Sequence, residues 1–309
     1  MINFYTTKNN EFTVLTEPED GCWISMINPD DSEISFISGK CAIDPDAIRA
    51  ALDLDERSHI ESDENYMMVL VNIPTVEEKH QNELYTTIPL SILVTREVII
   101  TICIEDTPIL RPFSTNRVRD FRSNMKSRFI LQILYRIAQA YLNYLRIIDR
   151  KTDAIENKLH KSTKNSELLE LLKLERSLLY FTTAIRSNEA VFEKLFNKND
   201  LVKKYPEDDD LLEDVIIENK QAMEMASIYS GVLTGMMDAF GSVISNNLNI
   251  VMKLLAVITI VLNIPALIFN AYGMNLAAQS MPFATSPNGF LILNLVAVGV
   301  TAIATFIML

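Results

Sequence analysis

Residues 254–271 read LLAVITIVLNIPALIFNA, and residues 290–309 read FLILNLVAVGVTAIATFIML. From Leu254 onward there is no Asp, Glu, Lys, Arg or His, and each run approaches the ~20 apolar residues that carry a helix across a bilayer. A buried helical hairpin in a soluble protein is the alternative, but core helices are not that long and apolar on every side. The expectation is an integral membrane protein with two C-terminal spans, a short connecting loop and a large soluble part in front.

All formal charge, a net −12, then falls in residues 1–253. An acidic domain repels phosphates, which argues against a nucleic-acid partner, and attracts cations; the same charge equally serves solubility. Cys22, Cys41 and Cys103 lie far apart with no paired spacing, so they read as reduced thiols of a cytosolic domain. Met1-Ile-Asn-Phe-Tyr5 is not a basic segment followed by an apolar one, so no secretory leader is expected. The expected topology is multi-pass in the inner or plasma membrane, with both termini cytoplasmic and only the loop outside.

Residues 1–112 read as an α/β domain. Tyr66–Ile73, Tyr85–Thr95 and Glu97–Ile104 are rich in β-branched residues, and Asp44-Pro45 caps a short helix with Ile48, Ala51 and Leu52 on one face. Residues 113–204 are helical, with Phe129, Ile133, Ile137, Ala140 and Tyr144 at three- and four-residue steps and a polar interruption at Lys161–Ser166. After the break at Lys203–Asp210 no proline occurs before Pro265. A stalk helix (205–253) is therefore expected to run unbroken into the first span (254–275), giving ~60 helical residues or ~90 Å. An outer loop (276–289) and a second span (290–309) follow.

Asn270, Ala266, Asn263, Thr259, Ala256, Met252, Asn249, Ser245, Ser242 and Asp238 recur at alternating steps of four and three, and so share one face of that long helix. Each carboxamide alone is equally explained by a hydrogen bond to a neighbouring helix. A continuous polar and small stripe ending on a carboxylate is better explained as the lining of a water-filled path, since an unpaired amide is costly in lipid. Two spans cannot enclose such a path, so a homo-oligomer with the first span innermost is expected. Around an axis each stripe residue becomes a ring, and carboxamide and carboxylate rings favour cations. Carboxamides without charge suit an ion that keeps its water, as Mg²⁺ does.

The stripe ends at Tyr272-Gly273-Met274-Asn275, where the sequence resembles the CorA family of divalent-cation channels, marked by Gly-Met-Asn at the outer end of the first of two C-terminal spans. The resemblance also rests on Pro265, on Ser245-Asn246 through Asn249 to Val251-Met252-Lys253, and on the order of α/β domain, long helices and spans. It implies a funnel-shaped homopentamer that passes Mg²⁺, with Co²⁺ or Ni²⁺, down its gradient, with Asn275 and Met274 at the outer mouth and Gly273 keeping the turn tight. It also implies closure when cytosolic Mg²⁺ binds carboxylates between protomers. Asp214 matches one of these by position, with Glu218 one turn on. Aligned through Arg57 and Glu64-Asn65-Tyr66, the facing acidic pair falls at Arg49-Ala50, so the site is either shifted to Asp53, Asp55 or Glu56 or weakened. The loop keeps Met281-Pro282 without the acidic residue that often follows, and the sequence ends at Leu309 without the family's basic tail.

Two other readings compete. A zinc-transporting branch shares the architecture but commonly departs from the intact Gly-Met-Asn, and His59, His80 and His160 are dispersed rather than clustered. A non-conducting membrane-anchored scaffold predicts no polar stripe. An enzyme is disfavoured: Ser38-Gly39-Lys40 lacks the upstream glycine of a phosphate loop, and neither a metalloprotease motif nor a nucleophilic triad is legible. Transport is therefore expected to be passive, with membrane lipid, divalent cations and identical subunits as partners and no organic cofactor.

Overall fold

Met67, Met68, Val69, Leu70 and Val71 are all buried, which an alternating half-exposed strand could not achieve. They lie in a sheet covered on both faces. A computed structural model describes residues 1–8, 11–79, 82–159, 165–198, 208–275 and 281–308. His80, His160, the interruption at 161–164, most of the break before Asp208, and loop residues 276–280 lie outside them.

The described residues form seven strands, β1 (Ile2–Lys8), β2 (Glu11–Leu15), β3 (Trp23–Ile27), β4 (His59–Ser62), β5 (Tyr66–Lys79), β6 (Asn82–Thr95) and β7 (Ile99–Cys103). They form one mixed sheet in the order β2-β1-β3-β7-β6-β5-β4. All neighbours are antiparallel except β3 and β7, whose parallel pairing requires everything between them to cross over. That crossover begins with α1 (Asp31–Cys41) and α2 (Pro45–Ala50). Asp30 caps α1 and forms a capping box with Glu33, and Asp44 caps α2 by accepting from the Asp46 amide. Their apolar sides, Ile34, Ile37, Ala47 and Ile48, join Ile24, Leu93, Ile100 and Ile102 in one buried cluster.

After the short α3 (Arg111–Ser114), the opposite face of the sheet is covered by α4 (Lys126–Leu159) and α5 (Asn165–Lys198). Trp23, fully buried, sits in a nest of rings from Tyr5, Phe113, Phe121 and Phe129 and donates its indole N–H to Thr101 Oγ1 at 2.9 Å. Along α4 the buried side chains include Phe129, Ile133, Ile137, Tyr141, Leu145 and Ile148, so the face turns through Tyr141 rather than through Ala140 and Tyr144.

The hairpin β5–β6 runs past the predicted strand ends, pairing Glu77 with Leu84 and Lys79 with Asn82. Apart from Leu84 those residues are polar, so hydrogen bonding continues where the apolar signal stops. Helix α6 (Asp209–Tyr272) is continuous through Pro265, and α7 (Gly289–Met308) closes the described chain. The chain divides into two compact units, Met1–Met237 and Asp238–Leu309.

Candidate functional site

Between Leu254 and Tyr272 of α6, the half-buried residues are Val257, Val261, Ile264, Pro265, Ile268 and Tyr272. They recur at helical spacing on the side that meets α7, where Leu293 and Ala297 are buried. An apolar groove of about 590 Å³, lined by Pro265 and Phe269 of α6 and by Asn294, Ala297, Thr301 and Thr305 of α7, follows the same seam. All ten stripe residues, Asp238, Ser242, Ser245, Asn249, Met252, Ala256, Thr259, Asn263, Ala266 and Asn270, are exposed. At about 100° per residue the stripe is centred roughly 180° around the helix from the side that meets α7.

Two of the stripe's three hydroxyls are satisfied within the helix: Thr259 Oγ1 donates to Leu255 O at 2.8 Å and Ser242 Oγ to Asp238 O at 3.0 Å. The carboxamides differ. Those of Asn249, Asn263 and Asn270 have no partner among the described residues, whereas Asn294 on α7 donates to Phe290 O at 2.8 Å. A helix face with three unpaired amides is poorly solvated by hydrocarbon and well solvated by water.

At the end of α6 the Gly273 amide reaches both Phe269 O (3.0 Å) and Asn270 O (3.1 Å), and Gly273, Met274 and Asn275 are exposed. Gly273 is not in the left-handed region, and an added Cβ would meet Asn270 O at 3.5 Å, an ordinary contact. Within one chain, tightness of the turn therefore does not demand a glycine there. The demanding glycine is Gly289: a Cβ on it would stand 2.1 Å from Phe283 O, and Phe283 itself has φ +64°. Tyr272 Oη donates to Pro282 O at 2.5 Å. Tyr272 stands in the quoted motif without an expected partner, and Gly289 carries no expected role; a phenol at the end of a span and a glycine at the start of the next are signals that do not name the partner.

The residues expected to sense cytosolic cation do not assemble within one chain. Among the described residues no three His, Cys, Asp or Glu side chains gather into a metal-holding group. Asp214 is exposed and Glu218 half-buried on α6, beside Tyr135 of α4. Burial, and then these two carboxylates, push the Tyr135 phenol above its ordinary range. Asp53 and Asp55 are exposed, and Asp53 Oδ1 accepts from the Asp55 amide at 3.0 Å in a local turn. Glu56 faces His59 at 3.6 Å. Arg49, at the position aligned with the acidic pair, is held by Asp31 at 3.1 Å and Asp46 at 3.2 Å. A guanidinium bracketed by two carboxylates offers no ligand to a cation.

A family model described as CorA-like Mg²⁺ transporter protein matches residues 18–309. A cobalt/magnesium transport protein CorA from Methanocaldococcus jannaschii is 27% identical over 87% of this chain and 83% of its own. Its namesake from Thermotoga maritima is 22% identical over 88% and 78%. Among solved structures, the complete CorA magnesium transporter of M. jannaschii matches with a TM-score of 0.84 at 24% identity, covering 99% of this chain and 96% of that one. The cytoplasmic domain of ZntB from Vibrio parahaemolyticus matches with a TM-score of 0.60 at 13% identity, covering 80% and 97%. With the family model spanning nearly all of the sequence, the chain belongs to the CorA-like family of membrane cation transporters, not to an enzyme family.

Proposed function

We propose that this chain assembles as a homopentamer around the polar stripe of α6 and passes divalent cations, chiefly Mg²⁺ and also Co²⁺ or Ni²⁺, passively across the membrane. The observation that carries the proposal is the opposition of faces on α6: α7 covers one side, and the unpaired carboxamides of Asn249, Asn263 and Asn270 occupy the other. Repeated around an axis, that side forms neutral oxygen-bearing rings, which hold an ion through its own water shell without stripping it. Asp238 adds a carboxylate ring, and Asn275 meets the hydrated ion at the outer mouth. Cytosolic Mg²⁺ binding at protomer interfaces through Asp214 and Glu218, with Asp53 or Asp55 opposite, would close the path. Arg49, already paired, weakens that site rather than contributing to it.

The deciding experiment is ion flux from reconstituted vesicles with Mg²⁺, Co²⁺, Ni²⁺ and Zn²⁺ in turn. Flux of Mg²⁺ in the wild type, lost in Asn275→Ala with the oligomer intact, is the expected outcome; wild-type flux in Asn275→Ala overturns the assigned role. The likeness to a ZntB cytoplasmic domain makes zinc the second reading, and the intact Gly273-Met274-Asn275 weighs against it. Flux of Zn²⁺ in preference to Mg²⁺ reverses that order, and no flux of any ion leaves the scaffold.

A further inference from the structure

The loop between the spans carries no charge: residues 276–289 contain no Asp, Glu, Lys, Arg or His. A loop without charge cannot concentrate cations by its field, so what it contributes at the mouth is geometry. Its described part is folded back on itself. Ala284 N donates to Met281 O (3.4 Å), Ser286 N to Phe283 O (3.2 Å) and Gly289 N to Ser286 O (3.0 Å). Phe283 takes the left-handed conformation, and its carbonyl lies against Gly289 where no Cβ fits. Among the described residues, one hydrogen bond ties this folded loop to the first span, from Tyr272 Oη to Pro282 O at 2.5 Å.

Tyr272 is the last residue of α6, lies on the side that meets α7, and immediately precedes Gly273-Met274-Asn275. Its hydroxyl therefore fixes the point from which the chain leaves the helix, and Gly289 fixes the other end of the same loop where α7 begins. We infer that Tyr272, Pro282 and Gly289 form an outer clasp that positions Asn275, and that Tyr272 is a positioning residue for ion capture. The inference rests on the transport reading above. Asn275 itself has no side-chain partner among the described residues, so its location depends on the backbone that the clasp holds.

The test compares wild type, Tyr272→Phe, Gly289→Ala, the double variant and Pro282→Ala in vesicles, reading the Mg²⁺ concentration for half-maximal flux, and reads hydrogen exchange at residues 281–289 in the same preparations. Loss of one hydrogen bond should raise half-saturation about 2- to 10-fold in Tyr272→Phe, with the oligomer unchanged and faster exchange in the loop. Pro282→Ala keeps the acceptor carbonyl and should raise half-saturation less than Tyr272→Phe does; an equal or larger rise would mean that the hydrogen bond is not what holds the loop. Because both lesions open one clasp, the double variant should be no worse than the worse single variant. Unchanged half-saturation in Tyr272→Phe, or a rise without faster loop exchange, overturns the positioning role. Should Tyr272→Phe fail to assemble, Gly289→Ala carries the same comparison from the other end of the loop. A wild type that conducts nothing sinks the transport reading alone, and unchanged loop exchange in Tyr272→Phe would then sink the clasp by itself.

Discussion

At the scale of single residues, burial and not sequence spacing decides what the cysteines do. Desolvation pushes the thiols of Cys41 and Cys103 up to about 11, and raises Cys22 as well. A thiol held above its ordinary value is neutral at pH 8, so native protein should react with iodoacetamide far more slowly than urea-unfolded protein, counted by mass spectrometry. Equal rates would mean that these sites are not closed. The same shift makes folding lose support as pH rises past the unfolded thiol value near 8.5. Unpaired thiols were legible from the scattered spacing, but their protection was not: Cys103 gains it inside β7, whereas Cys22 lies in the cluster under α1 and α2 and Cys41 packs against that cluster. Asn275 is the opposite case: its place in Gly-Met-Asn was plain, while the Tyr272 bond ten residues from Pro282 leaves no pattern in sequence.

At the scale of elements, Asn188 on α5 does work that a strand would otherwise do. Fully buried, it accepts from Asn72 N (2.9 Å) and Ser58 Oγ (2.8 Å) and donates to Asn72 O (2.8 Å), the carbonyl that Tyr141 Oη also reaches. It serves the backbone of β5 beyond the paired end of β4, where no further strand residues are opposed. Asn188→Ala should therefore cost about 2–4 kcal/mol by stranding buried backbone groups, read as a lower urea midpoint of the soluble unit. A cost below ~1 kcal/mol would mean that water replaces the amide. Strands β5, β6 and β7 were legible because apolar β-branched runs were present; β1, β2 and β4 were not, since polar residues break up their apolar positions. Helix α1 carries its start signal, Asp30 three residues before Glu33, but its apolar side is only Ile34 and Ile37.

At the scale of the whole molecule, the question is how cytosolic cation would be sensed when the residues of one chain do not assemble a site. Asp214 lies exposed on α6, so the proposed sensor needs a neighbouring copy to complete it. Asp214→Ala should shift the Mg²⁺ concentration that protects the full-length protein from protease, by more than Asp53→Ala if Arg49 has displaced the facing carboxylates. An unchanged protection curve would remove Asp214 from the sensor. The family and the two apolar spans were legible in the C-terminal residues alone, whereas the proposed sensor was not, because it would depend on surfaces that belong to different copies.

In the proposed ring, one helix side reiterated by every copy also has a genetic consequence. Where normal and Asn275→Ala chains are made together, each ring draws its members at random, and the share of rings with only normal members falls as the normal fraction raised to the number of members. A defective allele would then be dominant, and the steepness with which activity declines against dosage would count the subunits in living cells.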